Sequence, residues 1–121
     1  MSKVNITEAE LEIMRILWKS DVPLSSYDIC DRLEDKTWKY TTVSTLLSRL
    51  AEKGAITYEK RGKSYFYTPL LEENAYKIGQ AKKLIGKIYD GSVKNLVAAL
   101  YENKEISEQE IQEIQKLFKL F

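Results

Sequence analysis

The segment 38–50 and the alternating run behind it constrain the fold of this chain more than any other stretch. Val43, Leu46, Leu47 and Leu50 recur at the i, i+3, i+4, i+7 spacing of a helix that buries one stripe. Thr41, Thr45, Ser48 and Glu52 project to the opposite side, with Ser44 and Arg49 on the flanks. The exposed face therefore carries small hydroxyls and a guanidinium in place of the Glu/Lys mixture of an ordinary solvated helix. Hydroxyls can donate or accept against base edges, Thr methyls can touch thymine methyls, and Arg can grip guanine or a phosphate. The competing reading is a plain solvated surface, on which Ser and Thr are tolerated as mediocre helix formers.

The residues after this helix favour the first reading. Residues 55–60 and 64–70 alternate like two strands around Arg61-Gly62-Lys63, with glycine at the sharp point of the turn. Ile56 and Tyr58 share one strand face, as do Tyr65 and Tyr67 on the partner, and Lys60, Arg61 and Lys63 crowd the tip. Cations on a hairpin also protect its edge against aggregation, a role compatible with phosphate contact. Helix and hairpin together read as a DNA recognition helix followed by a wing. The candidate contact residues are Lys39, Tyr40, Thr41, Thr42, Ser44, Thr45, Ser48 and Arg49 on the helix, and Lys60, Arg61 and Lys63 on the wing.

Charge is distributed accordingly. The net charge of +1 on 121 residues says nothing for nucleic acid. Residues 1–35, however, carry 4 basic and 8 acidic side chains, residues 36–71 carry 7 and 2, and residues 72–121 carry 8 and 8. A positive stripe confined to one unit is the electrostatic footprint of a DNA face, and two copies would double it. No apolar run approaches a membrane span and no signal-peptide core follows the start, so the reading is a cytoplasmic protein without membrane insertion. Cys30, the one cysteine, cannot form an intramolecular disulfide and reads as a small buried core residue.

Ahead of this segment, Thr7 with Glu10 forms a capping box that opens a helix through Leu11, Ile13, Met14, Ile16, Leu17 and Trp18. Pro23 breaks it, and Ser25 with Asp28 restarts a second helix through Ile29, Cys30 and Leu33. Residues 34–39 read as a loop, and Leu24 as a very short third strand. The order is that of a winged helix-turn-helix. Beyond Pro69 helical periodicity returns at once, with Ile78, Ala81, Ile85 and Ile88, then Val93, Leu96, Val97, Leu100 and Tyr101 after Gly91-Ser92. A third segment opens on the capping box of Ser107 with Glu110 and carries Ile111, Ile114, Leu117, Phe118 and Phe121. Three amphipathic helices need a partner surface, and the winged unit already has its own core. The economical solution is a twofold homodimer built on Ile78, Ile85, Ile88, Val93, Leu96, Val97, Leu100, Ile111, Ile114, Leu117 and Phe118. The alternative is a monomer whose helices fold back onto the winged unit. The fold class is thus mainly α with a small β-wing: residues 1–71 form a winged-helix DNA-binding domain and residues 72–121 a helical dimerisation region.

With Thr7-Glu8-Ala9-Glu10, Ile13-Met14, Leu17-Trp18, Trp38, Tyr40-Thr41-Thr42-Val43, Thr45-Leu46-Leu47, Arg49-Leu50, Lys53-Gly54 and the wing from Lys60 to Pro69, essentially the whole chain resembles the penicillinase-repressor group. This group of winged-helix regulators includes the β-lactam resistance repressors and the copper-responsive repressors. The resemblance implies a cytoplasmic homodimeric repressor on palindromic double-stranded operators whose half-sites contain a TACA/TGTA core. Copper-responsive members carry paired Cys-x-Cys clusters, whereas this chain has no histidine and a single cysteine, so no metal or other cofactor is expected. The β-lactam members are inactivated through a sensor-protease system by cleavage between Asn and Phe in the dimerisation half. The equivalent junction here is Ala99-Leu100, a departure that leaves the inducing signal open.

Catalysis is disfavoured on chemical grounds, and no catalytic residue is assigned. Histidine, the usual general base near neutral pH, is absent, no Gly-rich phosphate loop is present, and the carboxylates are scattered over helical positions. The competing function is a winged-helix module that binds protein without specific DNA binding, since a fold does not dictate its use.

Overall fold

The computed structural model describes residues 4–34 and 37–119, with side chains through residue 116. Asp35 and Lys36 of the expected loop, the side chains of Leu117 and Phe118, and Phe121 lie outside the described residues.

Helix α1 (Glu8–Lys19) opens on a reciprocal cap. The Glu10 backbone N–H donates to Thr7 Oγ1 at 3.1 Å, and the Thr7 N–H donates to Glu10 Oε1 at 2.9 Å. Ile13, Met14 and Leu17 are buried, and Leu11, Ile16 and Trp18 are half-buried beside them, which makes α1 a well-covered element. Pro23, which cannot continue a helix, precedes the short strand β1 (Leu24–Ser25). Ser25 then caps α2 (Ser26–Arg32) in the same reciprocal way with Asp28. Backbone and side-chain hydrogen bonds from Ser25 hold the Asp28 carboxyl below its ordinary value. Helix α3 (Tyr40–Glu52) comes next, then the hairpin strands β2 (Ile56–Arg61) and β3 (Ser64–Pro69).

The antiparallel sheet runs in the order β1-β3-β2, with Leu24 opposite Tyr67 and Tyr58 opposite Tyr67 on the other side. One core serves these elements. Ile13, Met14 and Leu17 of α1 meet Ile29 of α2, Val43, Leu46, Leu47 and Leu50 of α3, and Leu24, Ala55 and Ile56 from the sheet side. Truncating a fully buried member such as Leu47 to Ala costs about 2–5 kcal/mol. Cys30 departs from the sequence expectation: it is half-buried, packed against the margin of this core. The helix–strand–helix–helix–strand–strand order is a winged helix.

The chain divides into two compact units, 1–76 and 77–121. The boundary expected after residue 71 falls just before α4 (Glu73–Ile88), whereas the first unit extends to Tyr76. Trp18 accounts for this. Its indole N–H donates to the Leu71 carbonyl at 2.8 Å and its ring packs against Tyr76 at 5.8 Å.

The second unit holds the rest of α4, α5 (Val93–Glu102) and α6 (Glu108–Lys119). Ser92 caps α5 by accepting from the Asn95 N–H at 3.1 Å, and Ser107 caps α6 by accepting from the Glu110 N–H at 3.1 Å. Among the described residues no side chain of α4, α5 or α6 is buried. Ile78, Leu84, Ile88, Val93 and Tyr101 are exposed, and Ile85, Leu96, Val97, Leu100, Ile111 and Ile114 are half-buried.

Candidate nucleic-acid interface

Helix α3 is held by its buried stripe and by ties at its C-terminal end. Val43, Leu46, Leu47 and Leu50 fix its rotation, since each is at most 5 % exposed. At the C-terminal end Gly54 adopts φ +78, a left-handed cap that glycine enters without steric penalty. Its N–H donates to the Ala51 carbonyl, and the Ala55 N–H donates to Leu50. The Ala55 carbonyl in turn accepts from Leu70 and Leu71, so the end of the helix and the end of the hairpin share one backbone node.

A second tie was not legible in either motif alone. Glu10, which is 1 % exposed, accepts from the Lys53 ammonium, and Lys53 also donates to the Asn5 carbonyl at 2.7 Å. The Thr7 cap of α1 and the C-cap of α3 thus meet on one buried carboxylate. Burial alone raises the Glu10 pKa, but the hydrogen bonds from Lys53 and Thr7 outweigh it and hold the carboxyl below its ordinary value. Its second oxygen, Oε2, has no hydrogen-bond partner among the described residues.

The face so positioned carries Thr41, Thr42, Thr45, Ser48 and Arg49 in the open, with Ser44 half-buried, and Lys39 and Tyr40 exposed at the N-terminal end. Two details qualify the sequence reading. The Thr45 hydroxyl donates to the Thr41 carbonyl at 2.9 Å, which leaves its lone pairs and methyl to face outward. Tyr40 is stacked on Tyr27 of α2 with ring centroids 4.8 Å apart and planes 26° from parallel, so its ring is fixed by a neighbour that the pattern of α3 could not reveal.

The hairpin sorts its cations by face. Arg61 pairs with Ser64 across a two-residue turn, Gly62-Lys63, in which Gly62 takes φ +63, the arrangement of a type II′ turn. Lys60 shares the face of Tyr58, Tyr65 and Tyr67, with its ammonium 6.0 Å from the Tyr65 ring. Arg61 lies on the opposite face, where it donates to Glu59 at 2.7 Å and sits 5.2 Å over the Phe66 ring. Lys63 helps line a concavity of about 230 Å³ together with Ser25, Ser26, Tyr27, Tyr40, Ser44, Ser64, Tyr65 and Tyr67. An ammonium among hydroxyls in a cleft beside α3 matches the donors that hold a phosphate oxygen. Three of these groups, Ser25, Ser26 and Tyr27, were missed in the sequence because their role as the start of α2 hid their place beside the hairpin tip. Burial pushes the Tyr67 phenol up, partly offset by its hydrogen bond with Ser26.

Among the described residues no cluster of three or more His, Cys, Asp or Glu could hold a metal ion, and no helix is long and apolar enough to cross a membrane.

Comparison with known proteins gives a consistent result. The family model described as penicillinase repressor matches residues 6–119. The penicillinase repressor of Bacillus licheniformis is 31% identical over 118 residues, covering 97% of this chain and 92% of that protein. The methicillin resistance regulatory protein MecI of Staphylococcus aureus (strain N315) is 33% identical over 112 residues, covering 93% and 91%. Among solved structures, the DNA-binding domain of the repressor BlaI matches with a TM-score of 0.54 and 36% identity, covering 63% of this chain and 94% of that one. The B. licheniformis BlaI monomer in complex with the blaP half-operator matches with a TM-score of 0.53, the same identity and the same coverage. Spanning nearly the full length of these relatives, with their winged-helix architecture in its first unit, the chain belongs to the penicillinase repressor family.

Proposed function

We propose that the chain is a sequence-specific DNA-binding transcriptional repressor that works as a homodimer in the cytoplasm. Helix α3 enters the major groove, and Thr41, Thr42, Ser44, Thr45, Ser48 and Arg49 meet base edges, with Lys39 and Tyr40 at the helix entrance. Lys63 and the hydroxyls around it take a backbone phosphate, while Lys60 and Arg61 add positive charge at the wing. The observation that carries this reading is the exposed face of α3, lined with hydroxyls and Arg49 and set beside the Lys63 cleft. A relative solved on a half-operator supports it.

The dimer rests on the second unit, whose helices carry Ile78, Ile85, Ile88, Val93, Leu96, Val97, Leu100, Ile111 and Ile114 without burying any of them; Leu117 and Phe118, whose side chains lie outside the described residues, are proposed for the same interface from the sequence. An isologous twofold interface covering the described faces would hold two copies of α3 in register on a palindrome. Relief of repression by an upstream sensor protease would act at Ala99-Leu100. That peptide bond lies within α5, where the Ala99 carbonyl accepts from Asn103 and the Leu100 carbonyl from Glu105, so cleavage there requires local unwinding of the helix.

The test is fluorescence anisotropy of a labelled palindrome with TACA/TGTA half-sites against a scrambled duplex, at low and near-physiological salt. A salt-sensitive preference for the palindrome with two chains per duplex supports the reading. Equal, weak binding to both duplexes would instead favour a module that binds protein.

A further inference from the structure

One charged group in the basic segment is unexplained by nucleic-acid contact. Glu52, exposed on the last turn of α3, makes no ion pair among the described residues, and its carboxylate repels phosphate. It lies on the rim of a groove of about 490 Å³ between the C-terminal half of α3 and the hairpin, within the volume range of small-molecule sites. Leu47, Ser48 and Ala51 line it beside Glu52 on the helix side. The hairpin side is aromatic, formed by Tyr58, Tyr65 and Tyr67.

Tyr58 and Tyr65 meet edge to face, with centroids 5.3 Å apart and planes at 89°, and Tyr67 lies 5.9 Å from Tyr58 at 52°. An edge-to-face pair covers one face of one ring only, and Tyr58 and Tyr65 are 54% and 44% exposed, so ring surface is left open along the groove. Tyr ring faces attract cations, most strongly those whose weak hydration makes desolvation cheap. The Lys60 ammonium near Tyr65 illustrates this attraction, yet at 6.0 Å it lies at the outer limit of such contacts and does not line the groove.

We propose that this groove binds a small organic cation with a quaternary ammonium head, the head resting against Tyr58, Tyr65 and Tyr67 and its charge balanced by Glu52. Charge complementarity selects this occupant. An anion or a nucleic acid strand would meet the carboxylate, and a neutral apolar ligand would gain nothing from it. Ser48 lines both the groove and the proposed base-reading face, so an occupied groove weakens DNA binding; this consequence, unlike the site itself, rests on the proposed function.

The site is tested on the full chain without DNA, by proton NMR titration with choline and with 3,3-dimethylbutan-1-ol, its neutral isostere. The trimethylammonium resonance of choline is expected to move upfield under the ring currents, and choline to bind about tenfold more tightly than the isostere. Tyr58→Leu and the isosteric Glu52→Gln should each weaken choline by a similar factor while circular dichroism stays unchanged, because both side chains are exposed. No shift, equal binding of choline and isostere, or choline binding untouched by both variants would overturn the site. Anisotropy on the operator duplex, with choline chloride compared with sodium chloride at equal ionic strength, tests the consequence. Weaker DNA binding with choline supports the coupling, and unchanged affinity with a filled groove overturns the coupling while leaving the site.

Discussion

Replacing Lys53 with Met cuts the ion pair that ties the first turn of α1 to the C-cap of α3. Met keeps the length and apolar stem of the side chain and removes its ammonium, so packing is nearly preserved and the electrostatic link is isolated. Among the described residues Glu10 is then left 1 % exposed with Thr7 as its remaining hydrogen-bond partner. Stranding a fully buried carboxylate costs about 3–5 kcal/mol. The Lys53 side chain is 31% exposed, however, so water can enter where the ammonium was, and the expected loss is nearer ~2 kcal/mol. In urea denaturation of the full chain this takes the form of a lower midpoint at unchanged slope.

The pH dependence gives a sign to check. Glu10 has a lower pKa folded than unfolded, so its contribution is fully present above the unfolded value of 4.5 and disappears as pH falls through the folded one. The gap between wild type and Lys53→Met should therefore be largest near neutrality and close under acid. A loss below about 0.5 kcal/mol at neutral pH, the level of an exposed surface pair, would refute the claim that this bridge braces the helix. So would a gap that widens in acid.

Other expectations concern binding. Arg49→Ala should weaken operator binding by about 1–3 kcal/mol and relax discrimination at one base position, as measured by anisotropy against single-base variants. Lys63→Ala should weaken binding to all duplexes alike and reduce the slope of log affinity against log salt by about one. Charged replacements at Ile85 and Leu96 together should give monomers by light scattering that hold a full palindrome no better than a half-site; a variant that remains dimeric places the interface elsewhere. Gly54→Ala should destabilise by about 1 kcal/mol or more through its left-handed backbone alone, since nothing lies within 4 Å of an added Cβ.

Much of the fold was legible because local rules and global packing agree. The Thr7/Glu10, Ser25/Asp28 and Ser107/Glu110 boxes announce three helix starts, and all three are formed. The Val43–Leu50 stripe reports its burial through spacing, and Gly62 reports the turn. Contacts joined by no short-range pattern stayed hidden. Glu10 reads as a cap residue, and nothing near it in sequence indicates that Lys53, 43 residues away, shares its carboxylate. Lys60 and Arg61 read as one cationic tip, yet the two-residue strand period sends them to opposite faces, where Arg61 is held by Glu59 and Phe66. Tyr40 reads as the first exposed residue of α3, and its stacking on Tyr27 depends on how α2 and α3 cross. The margin of the first unit likewise depends on Trp18 reaching Leu71 and Tyr76.

The hydroxyl face of α3 and the Lys63 cleft together make up the proposed DNA surface, and its most direct test is amide chemical-shift mapping of the full chain titrated with the palindromic duplex. The largest perturbations are expected to cluster on residues 39–49 and on 60–64, with a second group at Ser25, Ser26 and Tyr27. Perturbations confined to the second unit, or a face of α3 that stays silent while the duplex binds, would contradict that assignment.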